Sequence, residues 1–417
     1  MRPIIKKIDE IYSKASLEKQ KKRFSTLKEG FSEYFGDHGE LRFFSTPGTT
    51  EICGNHTEQN CGKVFAASVD LDIIAAAEPT DDGFVTIKSE GLPEDKIDLN
   101  DLEVHESDQN CSSGIIRGVL NDFRQNGHKI GGFRAYTTST LFRGSGLGSA
   151  AAFGVLTGII LSHLYNEGQL RPVTLAAASK YAEENYFQRP CGLTRAISCA
   201  SGGFTAIDFK DGDTPIVEDI PCNFSEFEHA LCIIEVTDAP RLDLSALYKE
   251  IENEMHEVAS YFDCENLRSL SLDDVMLNIG DLRKNYGDRA VLRAIHFFCE
   301  NNRVEKVSHA LLKNRFEDFL SSVRESGHSS FKYLQNVYSP NDLRNQSLSV
   351  ALNAAEIALH RRGVCRVHGG GFEGTIQAFV PLDDITQFKM YMDKIFGIGS
   401  CHIMTVRTVG TCEVVDS

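Results

Sequence analysis

The sequence predicts an α+β protein with two domains. Its 417 residues exceed the size at which one hydrophobic core usually stops growing. Some segments repeat apolar residues at helical spacing, whereas others are short apolar runs bounded by Gly, Pro or Asp, as strands are. A mixed stretch ends near residue 228. We therefore place an N-terminal domain at 1–228 and a C-terminal domain at 229–417.

The N-terminal half is expected to mix helices and strands. Apolar residues at helical spacing predict helices within 1–36 and at 112–126, 149–165 and 172–187. Short apolar runs between turn residues predict strands at 64–69, 72–77, 133–137 and 204–208. The C-terminal half repeats both patterns. Strands are predicted at 230–236 and 375–380, and helices around 291–298 and 348–359.

Composition excludes several classes of protein. The formal net charge of −16, without any Lys/Arg-rich run, argues against binding to nucleic acid. The N-terminus has no apolar stretch long enough for a signal peptide, and no later segment is suited to span a bilayer. The 12 cysteines are scattered without a Cys-x-x-Cys pair, which favours reduced thiols. We expect a cytoplasmic protein without membrane or nucleic-acid partners.

A glycine-rich loop is the most informative feature of the chain. Residues 144–152 read Gly-Ser-Gly-Leu-Gly-Ser-Ala-Ala-Ala and lead directly into an apolar helix. A helix N-terminus has unpaired N–H groups and a partial positive charge, and both favour an anion. The loop therefore indicates a phosphate site. The alternative is a tight strand-to-helix turn whose small residues only permit close packing, and the loop alone leaves both open.

Two further segments accompany the loop. It is neither a Walker A motif, because no Lys-Ser/Thr follows, nor a dinucleotide fingerprint, because the third glycine is missing. Residues 47–62 place hydrogen-bonding side chains between turn glycines, as a polyhydroxylated ligand would require. Residues 367–375 contain four glycines within six positions, where the backbone must approach another group closely.

Together these three segments resemble the galactokinases of the GHMP small-molecule kinase superfamily. Residues 293–298 and 335–340 resemble that family too, so the likeness covers nearly the whole chain. It implies a two-domain GHMP kinase fold with the active-site cleft between the domains. It also implies ATP-dependent phosphorylation of the anomeric hydroxyl of galactose, with Mg²⁺ as the metal.

The resemblance assigns site residues position by position. The nucleotide phosphates would lie on the glycine loop, at Gly144, Ser145, Gly146, Leu147, Gly148 and Ser149. The sugar would be bound by Asn55, His56, Glu58, Tyr248 and Gly370, although the family normally has Asp where this chain has Glu58. Glu183 matches a glutamate that helps to hold Mg²⁺.

The departures from the family fall on the transfer machinery. Arg195 occupies the position of the Asp that activates or orients the attacking hydroxyl, and Thr49 that of its Arg partner. Ala150 replaces a serine that ligates Mg²⁺. Arginine has no acceptor and stays protonated, so Arg195 cannot take a proton. These changes predict phosphotransfer that is weak, lost or retuned.

Three functions remain open from the sequence. The first is an impaired galactokinase that binds a galactose-like sugar and ATP. The second is a non-catalytic sensor of sugar or nucleotide that acts through a protein partner. The third is an active kinase for a different small molecule, because Glu58 is one methylene longer than Asp and would crowd the pocket. Fold alone does not choose among them.

Overall fold

A computed structural model describes residues 4–142, 145–212, 214–236, 244–372 and 374–415. Strands and helices alternate through the first half of the chain, and helices predominate in the second. Gly144, which the resemblance assigns to the phosphate loop, lies outside the described residues. None of the helices in these ranges combines the length and the apolar character that crossing a membrane requires.

The described residues form thirteen strands. They are β1 (Ile5–Lys7), β2 (Arg42–Cys53), β3 (Lys63–Thr80), β4 (Phe84–Ser89), β5 (Glu94–Asp98), β6 (Gly132–Ser139), β7 (Phe204–Asp208), β8 (Ile216–Ile220), β9 (His229–Glu235), β10 (Val364–Val367), β11 (Thr375–Pro381), β12 (Cys401–Met404) and β13 (Cys412–Val415).

The same ranges contain twelve α-helices. They are α1 (Ile8–Ile11), α2 (Leu17–Phe35), α3 (Ser112–Gln125), α4 (Ser149–Tyr165), α5 (Pro172–Asn185), α6 (Thr194–Ser201), α7 (Ser245–Ser260), α8 (Leu272–Leu277), α9 (Ile279–Leu312), α10 (Phe316–Ser329), α11 (Ser347–Leu359) and α12 (Ile385–Phe396). Helix α9 is interrupted at Gly287, whose φ of 87° is not helical.

The strands of the described ranges belong to two sheets. The larger sheet runs β1-β13-β2-β3-β6-β4-β5, and β7 and β8 extend it from the other end of β3. The smaller sheet runs β10-β11-β9-β12 and is antiparallel throughout. Strand β3 is long because it pairs with β6 along one half and with β7 along the other. The sequence patterns at 64–69 and 72–77 are thus parts of one strand.

Most of the predicted elements are confirmed. The helix expected at 149–165 is α4, and those expected at 112–126 and 172–187 are α3 and α5 within two residues at each end. The strands at 204–208 and 375–380 are β7 and β11. The segment 1–36 was only partly predicted, because strand β1 precedes its helices and pairs with β13 at the opposite end of the chain.

The two sheets bear on the domain division, which stays a prediction. The larger sheet takes its strands from before residue 228, except for β13 at 412–415. The smaller sheet lies wholly after residue 228. The chain therefore crosses to the second sheet at β9 and returns to the first at its C-terminus, a return that no local sequence pattern announces.

Helix α4 fixes the position at which the glycine loop ends. It is apolar on all sides and buried for nearly its whole length, and it packs on α5, α6 and β2. A helix with apolar residues all round is stable only inside a protein core. Its N-terminus, where the glycine loop ends, is consequently held in a fixed position.

A buried charge cluster joins the two ends of the chain. Asp72 on β3 is fully buried and forms ion pairs with Arg23 (2.9 Å) and Arg407 (3.0 Å). Ser45 donates to the same carboxylate at 2.7 Å, and the Tyr12 hydroxyl also donates to it. Burial alone would raise the pKa of Asp72, but the two arginines hold it below its usual value.

We expect Asp72→Asn to lower the free energy of unfolding by about 3–5 kcal/mol, because it leaves the buried Arg407 and the partly buried Arg23 without their counter-charge. Urea unfolding measures the change. Since the pKa of Asp72 is depressed in the folded state, its contribution is present above the unfolded pKa and is lost as the pH falls through the folded one. Tyr12→Phe, which removes one neutral donor, is the milder control at about 1 kcal/mol. Equal losses for both variants would contradict this account.

Candidate active site

The predicted sugar motif, residues 47–62, spans the end of β2 and the turn that follows it, and helix α9 holds it in place. The backbone N–H of Gly54 donates to the buried carboxylate of Glu300 at 2.7 Å. The carbonyl of Asn55 accepts from His296 Nε2 at 3.0 Å. Gly54 has a φ of 91°, which favours glycine at this position. These bonds fix the backbone from which the predicted sugar-binding side chains project.

The side chains of Asn55 and His56 reach the glycine-rich turn at 369–371. Asn55 Nδ2 donates to the Gly369 carbonyl at 2.6 Å, and His56 Nε2 donates to the Gly370 carbonyl at 2.9 Å. Burial lowers the pKa of His56 to about 4, against the opposing effect of this carbonyl, so the ring is neutral. Asn55 Oδ1 is buried and has no hydrogen-bond partner among the described residues. It is an acceptor available to a ligand hydroxyl.

Tyr248 covers the same turn. A Cβ on Gly370 would lie 2.6 Å from Tyr248 Cζ, so only glycine permits this contact. The Tyr248 ring lies 5.5 Å from that of His56, centroid to centroid. Asn336 supports the turn from the other side, with its Nδ2 donating to the Gly370 carbonyl at 3.0 Å. The structure therefore brings together four of the predicted sugar-site positions, which are Asn55, His56, Tyr248 and Gly370.

The described part of the glycine loop, residues 145–148, is clamped by hydrogen bonds. The Thr49 N–H donates to the Leu147 carbonyl at 3.0 Å, which ties the loop to β2. Gly146 and Gly148 have φ values of 81° and 70°, and a Cβ on Gly146 would lie 2.9 Å from the His368 ring. The loop thus needs glycine both for its backbone angles and for close contact with the second sheet.

His368 links the loop to the second sheet. Its Nδ1 lies 2.9 Å from Thr375 Oγ1, which donates to the Ser145 carbonyl at 3.3 Å, and its Nε2 lies 2.9 Å from Thr50 Oγ1. Burial, assisted by Arg195, lowers the pKa of His368 to about 3. The ring is therefore neutral, and it can donate on one nitrogen and accept on the other.

The first turn of α4 presents free backbone donors. Gly148 is the N-cap and offers no capping side chain. Within the described ranges no group accepts a hydrogen bond from the N–H of Ser149, Ala150 or Ala151. Three such groups at the positive end of a 17-residue helix suit a phosphate.

Glu58 is committed to helix α6. It begins a short 3₁₀ helix, Glu58–Asn60, and accepts from the N–H of Leu193 at 2.5 Å and from Thr194 Oγ1 at 2.8 Å. A carboxylate at a helix N-terminus satisfies unpaired donors and is stabilised by the helix dipole. Glu58 therefore positions α6, which carries Arg195. Its predicted contact with a sugar hydroxyl stays a prediction.

Arg195 lies between the phosphate loop and the glycine-rich turn. The position of a Cβ on Gly148 would be 3.6 Å from Arg195 Cβ and 2.8 Å from Thr49 Cγ2. The position of a Cβ on Gly369 would be 4.0 Å from Arg195 Nη2. Among the residues the structure describes, Arg195 has no ion-pair partner within 4.0 Å and no hydrogen bond. A guanidinium without a counter-ion among the described residues thus lies between Gly148 and Gly369.

The predicted metal site offers few side-chain oxygen atoms as ligands. Glu183 on α5 is buried, which raises the pKa of its carboxyl, although Arg195 and Arg189 oppose the shift. Ala150 offers a methyl group where an oxygen ligand is expected. No group of three or more acidic, His or Cys side chains that could hold a metal occurs in the described ranges. Glu183 alone could join a Mg²⁺ ion that nucleotide phosphates hold.

Sequence reasoning missed the residues that support the site. Glu300, His296 and Asn336 are buried polar side chains that hold the sugar motif or the glycine-rich turn. The spacing of apolar residues predicts helices and loops, but it does not show which polar side chains on them support the site. Their signal was weak but present, since His296 and Asn336 fall within the two secondary segments that resemble the family.

Two family models match the chain. The model described as the galactokinase galactose-binding signature matches residues 29–79, and the GHMP kinases N-terminal domain matches residues 114–203. The galactokinase of Lactococcus lactis subsp. lactis (strain IL1403) is 27% identical over 383 residues, which cover 89% of this chain and 91% of that protein. By both comparisons the chain is similar to galactokinases of the GHMP kinase superfamily.

Further relatives and a solved structure show the same similarity. The galactokinase of Clostridium tetani (strain Massachusetts / E88) is 26% identical over 406 residues, or 93% of this chain and 97% of the relative. A crystal structure of Lactococcus lactis galactokinase complexed with galactose matches with a TM-score of 0.78 at 22% identity, over 93% of this chain and 99% of that one.

The fold extends beyond galactokinases. The mevalonate kinase of Methanococcus jannaschii matches with a TM-score of 0.61 at 15% identity, over 90% of this chain and 100% of that one. The predicted α+β GHMP kinase fold is confirmed by these matches.

We expect Glu58→Gln to destabilise the protein by about 1 kcal/mol, because the amide nitrogen cannot accept from Thr194 at the N-terminus of α6. Thermal unfolding checks the stability, and calorimetry checks galactose binding. If Glu58 acts mainly as the helix cap, galactose affinity changes little. A tenfold or greater loss of affinity at unchanged stability would instead make Glu58 a direct sugar ligand.

Proposed function

We propose that this protein binds a nucleoside triphosphate and a galactose-like sugar in the cleft, and that it transfers phosphate slowly or not at all by the route its family uses. The observation that carries the proposal is the place of Arg195. It lies beside Gly148 of the phosphate loop, at the position where the resemblance expects a proton acceptor. A guanidinium has no acceptor.

Nucleotide binding is supported by the loop and the helix behind it. The free N–H groups at the start of α4 and the unpaired Arg195 make this end of the cleft positive. ATP is the nucleotide that the family implies. Mg²⁺ would be bound mainly through the phosphates, with Glu183 as the contribution of the protein.

Sugar binding is supported by what remains free in the sugar motif. Asn55 keeps a buried acceptor, and the rings of His56 and Tyr248 line the same corner. The match to the galactose-binding model over residues 29–79 agrees with this assignment. Galactose is therefore the first sugar to test.

Slow transfer follows from three losses. General-base catalysis is typically worth about 10²–10⁴ in rate, and Arg195 cannot provide it. Thr49 offers no charge to balance the one that develops on the transferring phosphoryl group, and Ala150 offers no oxygen to the metal. Since phosphoryl transfer depends mainly on positioning and charge neutralisation, these changes slow the reaction without removing the binding site.

The first test compares binding with turnover. Calorimetry measures the binding of galactose and of Mg·ATP, and coupled ADP release measures galactose-dependent transfer. We expect both ligands to bind and the turnover to lie below the range of about 1–100 s⁻¹ that is usual for kinases. Turnover within that range would contradict the proposal. Failure of both ligands to bind would refute the proposed binding site itself.

The second test restores the residues of the family in one variant, Thr49→Arg/Ala150→Ser/Arg195→Asp. We expect a gain in galactose-dependent ADP release of about 10²-fold or more, because the variant regains a base, a cation and a metal ligand. Removing the Arg195 side chain also makes room for the new arginine, since Thr49 and Arg195 both lie against Gly148. Thr49→Arg alone is the control. Its new arginine would be crowded against Arg195, which carries the same charge, so we expect no gain in galactose-dependent ADP release. No gain in the triple variant would mean that the pocket has diverged further.

The remaining alternatives are outcomes of the same measurements. Tight binding of both ligands with no transfer to any sugar would support a sensor that acts through a protein partner. Transfer to another small molecule, but not to galactose, would support a kinase with a changed substrate. The cytoplasmic location stays a prediction.

A further inference from the structure

One half-buried carboxylate on β2, that of Glu51, takes no part in the hydrogen bonds or ion pairs of the described residues. Glu51 lies on β2, and its Oε1 atom is buried without a hydrogen-bond partner among the described residues. A buried acceptor left unpaired costs free energy. Such an atom is therefore informative when it lies in a ligand-binding cleft.

Glu51 shares a face of β2 with Thr49. The pairing with β3 is regular from Thr49 to Glu51, between one register shift before Thr49 and another after Glu51. Side chains two residues apart on a regular strand point to the same side of the sheet. Since Thr49 contacts the corner formed by Gly148 and Arg195, Glu51 faces the same region.

Two arginines act on Glu51 from different elements without pairing with it. Arg366 on β10 and Arg195 on α6 both attract its charge, yet neither lies within 4.0 Å of its carboxylate in the described structure. Arg366 donates through Nη1 to the Ile52 carbonyl and, at 2.9 Å, to Ser326 Oγ, whereas its Nη2 is buried without a partner among the described residues. Among the described residues, the Glu51 carboxylate and the Arg195 guanidinium thus have neither a hydrogen bond nor an ion pair within 4.0 Å.

We propose that Glu51 accepts the proton of the substrate hydroxyl and that Arg195 neutralises the terminal phosphate of the nucleotide. The acid is then on strand β2 and the cation on helix α6, the reverse of the arrangement that the resemblance implies at positions 49 and 195. This assignment rests on the proposed binding of sugar and nucleotide in the cleft. It makes Glu51 the catalytic residue of whatever transfer the protein performs.

The step balances without a further reactant. The O–H bond of the substrate breaks, and its proton goes to a carboxylate oxygen of Glu51. The hydroxyl oxygen forms a bond to the γ-phosphorus of the nucleoside triphosphate. The bond between that phosphorus and the bridging oxygen breaks, and its electron pair leaves with the nucleoside diphosphate. Glu51 then releases its proton to solvent.

The electrostatics suit this role. Burial raises the pKa of Glu51 to about 7, because the attraction of Arg366 and Arg195 only partly offsets desolvation and Glu58 and Glu300 add to the rise. A general base is most effective when its pKa lies near the working pH. Neutral His56 and His368 on the flanking segments do not compete for the proton in this range.

The test is the isosteric variant Glu51→Gln, assayed as galactose-dependent ADP release with Mg·ATP and repeated with the other aldohexoses. We expect kcat to fall by about 10²-fold or more with little change in KM. The wild-type rate should decline as the pH falls below about 7, because protonated Glu51 cannot accept a proton, and Glu51→Gln should lose this dependence. Glu51→Asp should recover part of the rate.

Asp95→Asn is the matched control. Asp95 is another carboxyl whose pKa is raised by burial, but it lies on β5 at the far end of the larger sheet and is bonded to Ser112. Its substitution should leave both the rate and the pH profile unchanged. Thermal unfolding of each variant separates loss of activity from loss of fold.

The triple variant Thr49→Arg/Ala150→Ser/Arg195→Asp provides an independent test. There the introduced aspartate can accept the proton, so adding Glu51→Gln should cost little. In the wild-type background, Arg195→Ala should lower kcat, and combining it with Glu51→Gln should cost less than the product of the two single effects, because both residues act in one transition state.

Three results would overturn the assignment. The first is an unchanged kcat and pH profile in Glu51→Gln, whether or not its stability falls, which would make Glu51 only a counter-charge to Arg366. The second is equal sensitivity to Glu51→Gln in the wild-type and triple backgrounds. The third is binding of both ligands with no transfer to any aldohexose. This last result leaves the proposed binding function intact, whereas loss of ligand binding in the wild type would refute that function instead.

Discussion

The close approach of the glycine loop to the second sheet is the constraint on which the candidate site depends. A neutral His368 makes this contact, since it bonds through Thr375 to the loop and through Thr50 to β2. A protonated ring could not accept from Thr50, and burial keeps the pKa of His368 low enough to prevent protonation. The bulk of the ring also requires glycine at position 146.

The sugar motif and the glycine-rich turn form the other side of the same junction. Asn55 and His56 donate to backbone carbonyls of the turn, so part of their hydrogen-bonding capacity is used within the protein. What remains is a set of acceptors, above all Asn55 Oδ1. A polyhydroxylated ligand, which carries many donors, is the complement of such a surface.

The charges of the cleft distinguish this chain from the pattern its family implies. Glu58 caps the helix that carries Arg195, and through that cap it fixes where the guanidinium lies. Glu51 brings negative charge to the strand that faces this guanidinium. Substitutions that look like separate losses in the sequence are thus neighbours in space, and they change the electrostatics of one corner together.

The sequence by itself determined the family, the fold class and most of the regular elements. Helix α4 could be predicted to the residue because its apolar run starts at a glycine and ends before a turn, both of which are local signals. The three glycine-bearing segments were predictable because the backbone conformation of each requires glycine at particular positions. These features depend on residues that are close together in the chain.

Only the tertiary structure decided which residues meet. Strand β13 joins β1 and β2, Glu58 reaches helix α6, and Glu51 comes near Arg195 and Arg366, all across separations of more than 130 residues. Such contacts depend on sheet order and on the path of the chain, which local periodicity does not encode. For the same reason, an orphaned oxygen such as Oε1 of Glu51 is visible only once its surroundings have been folded around it.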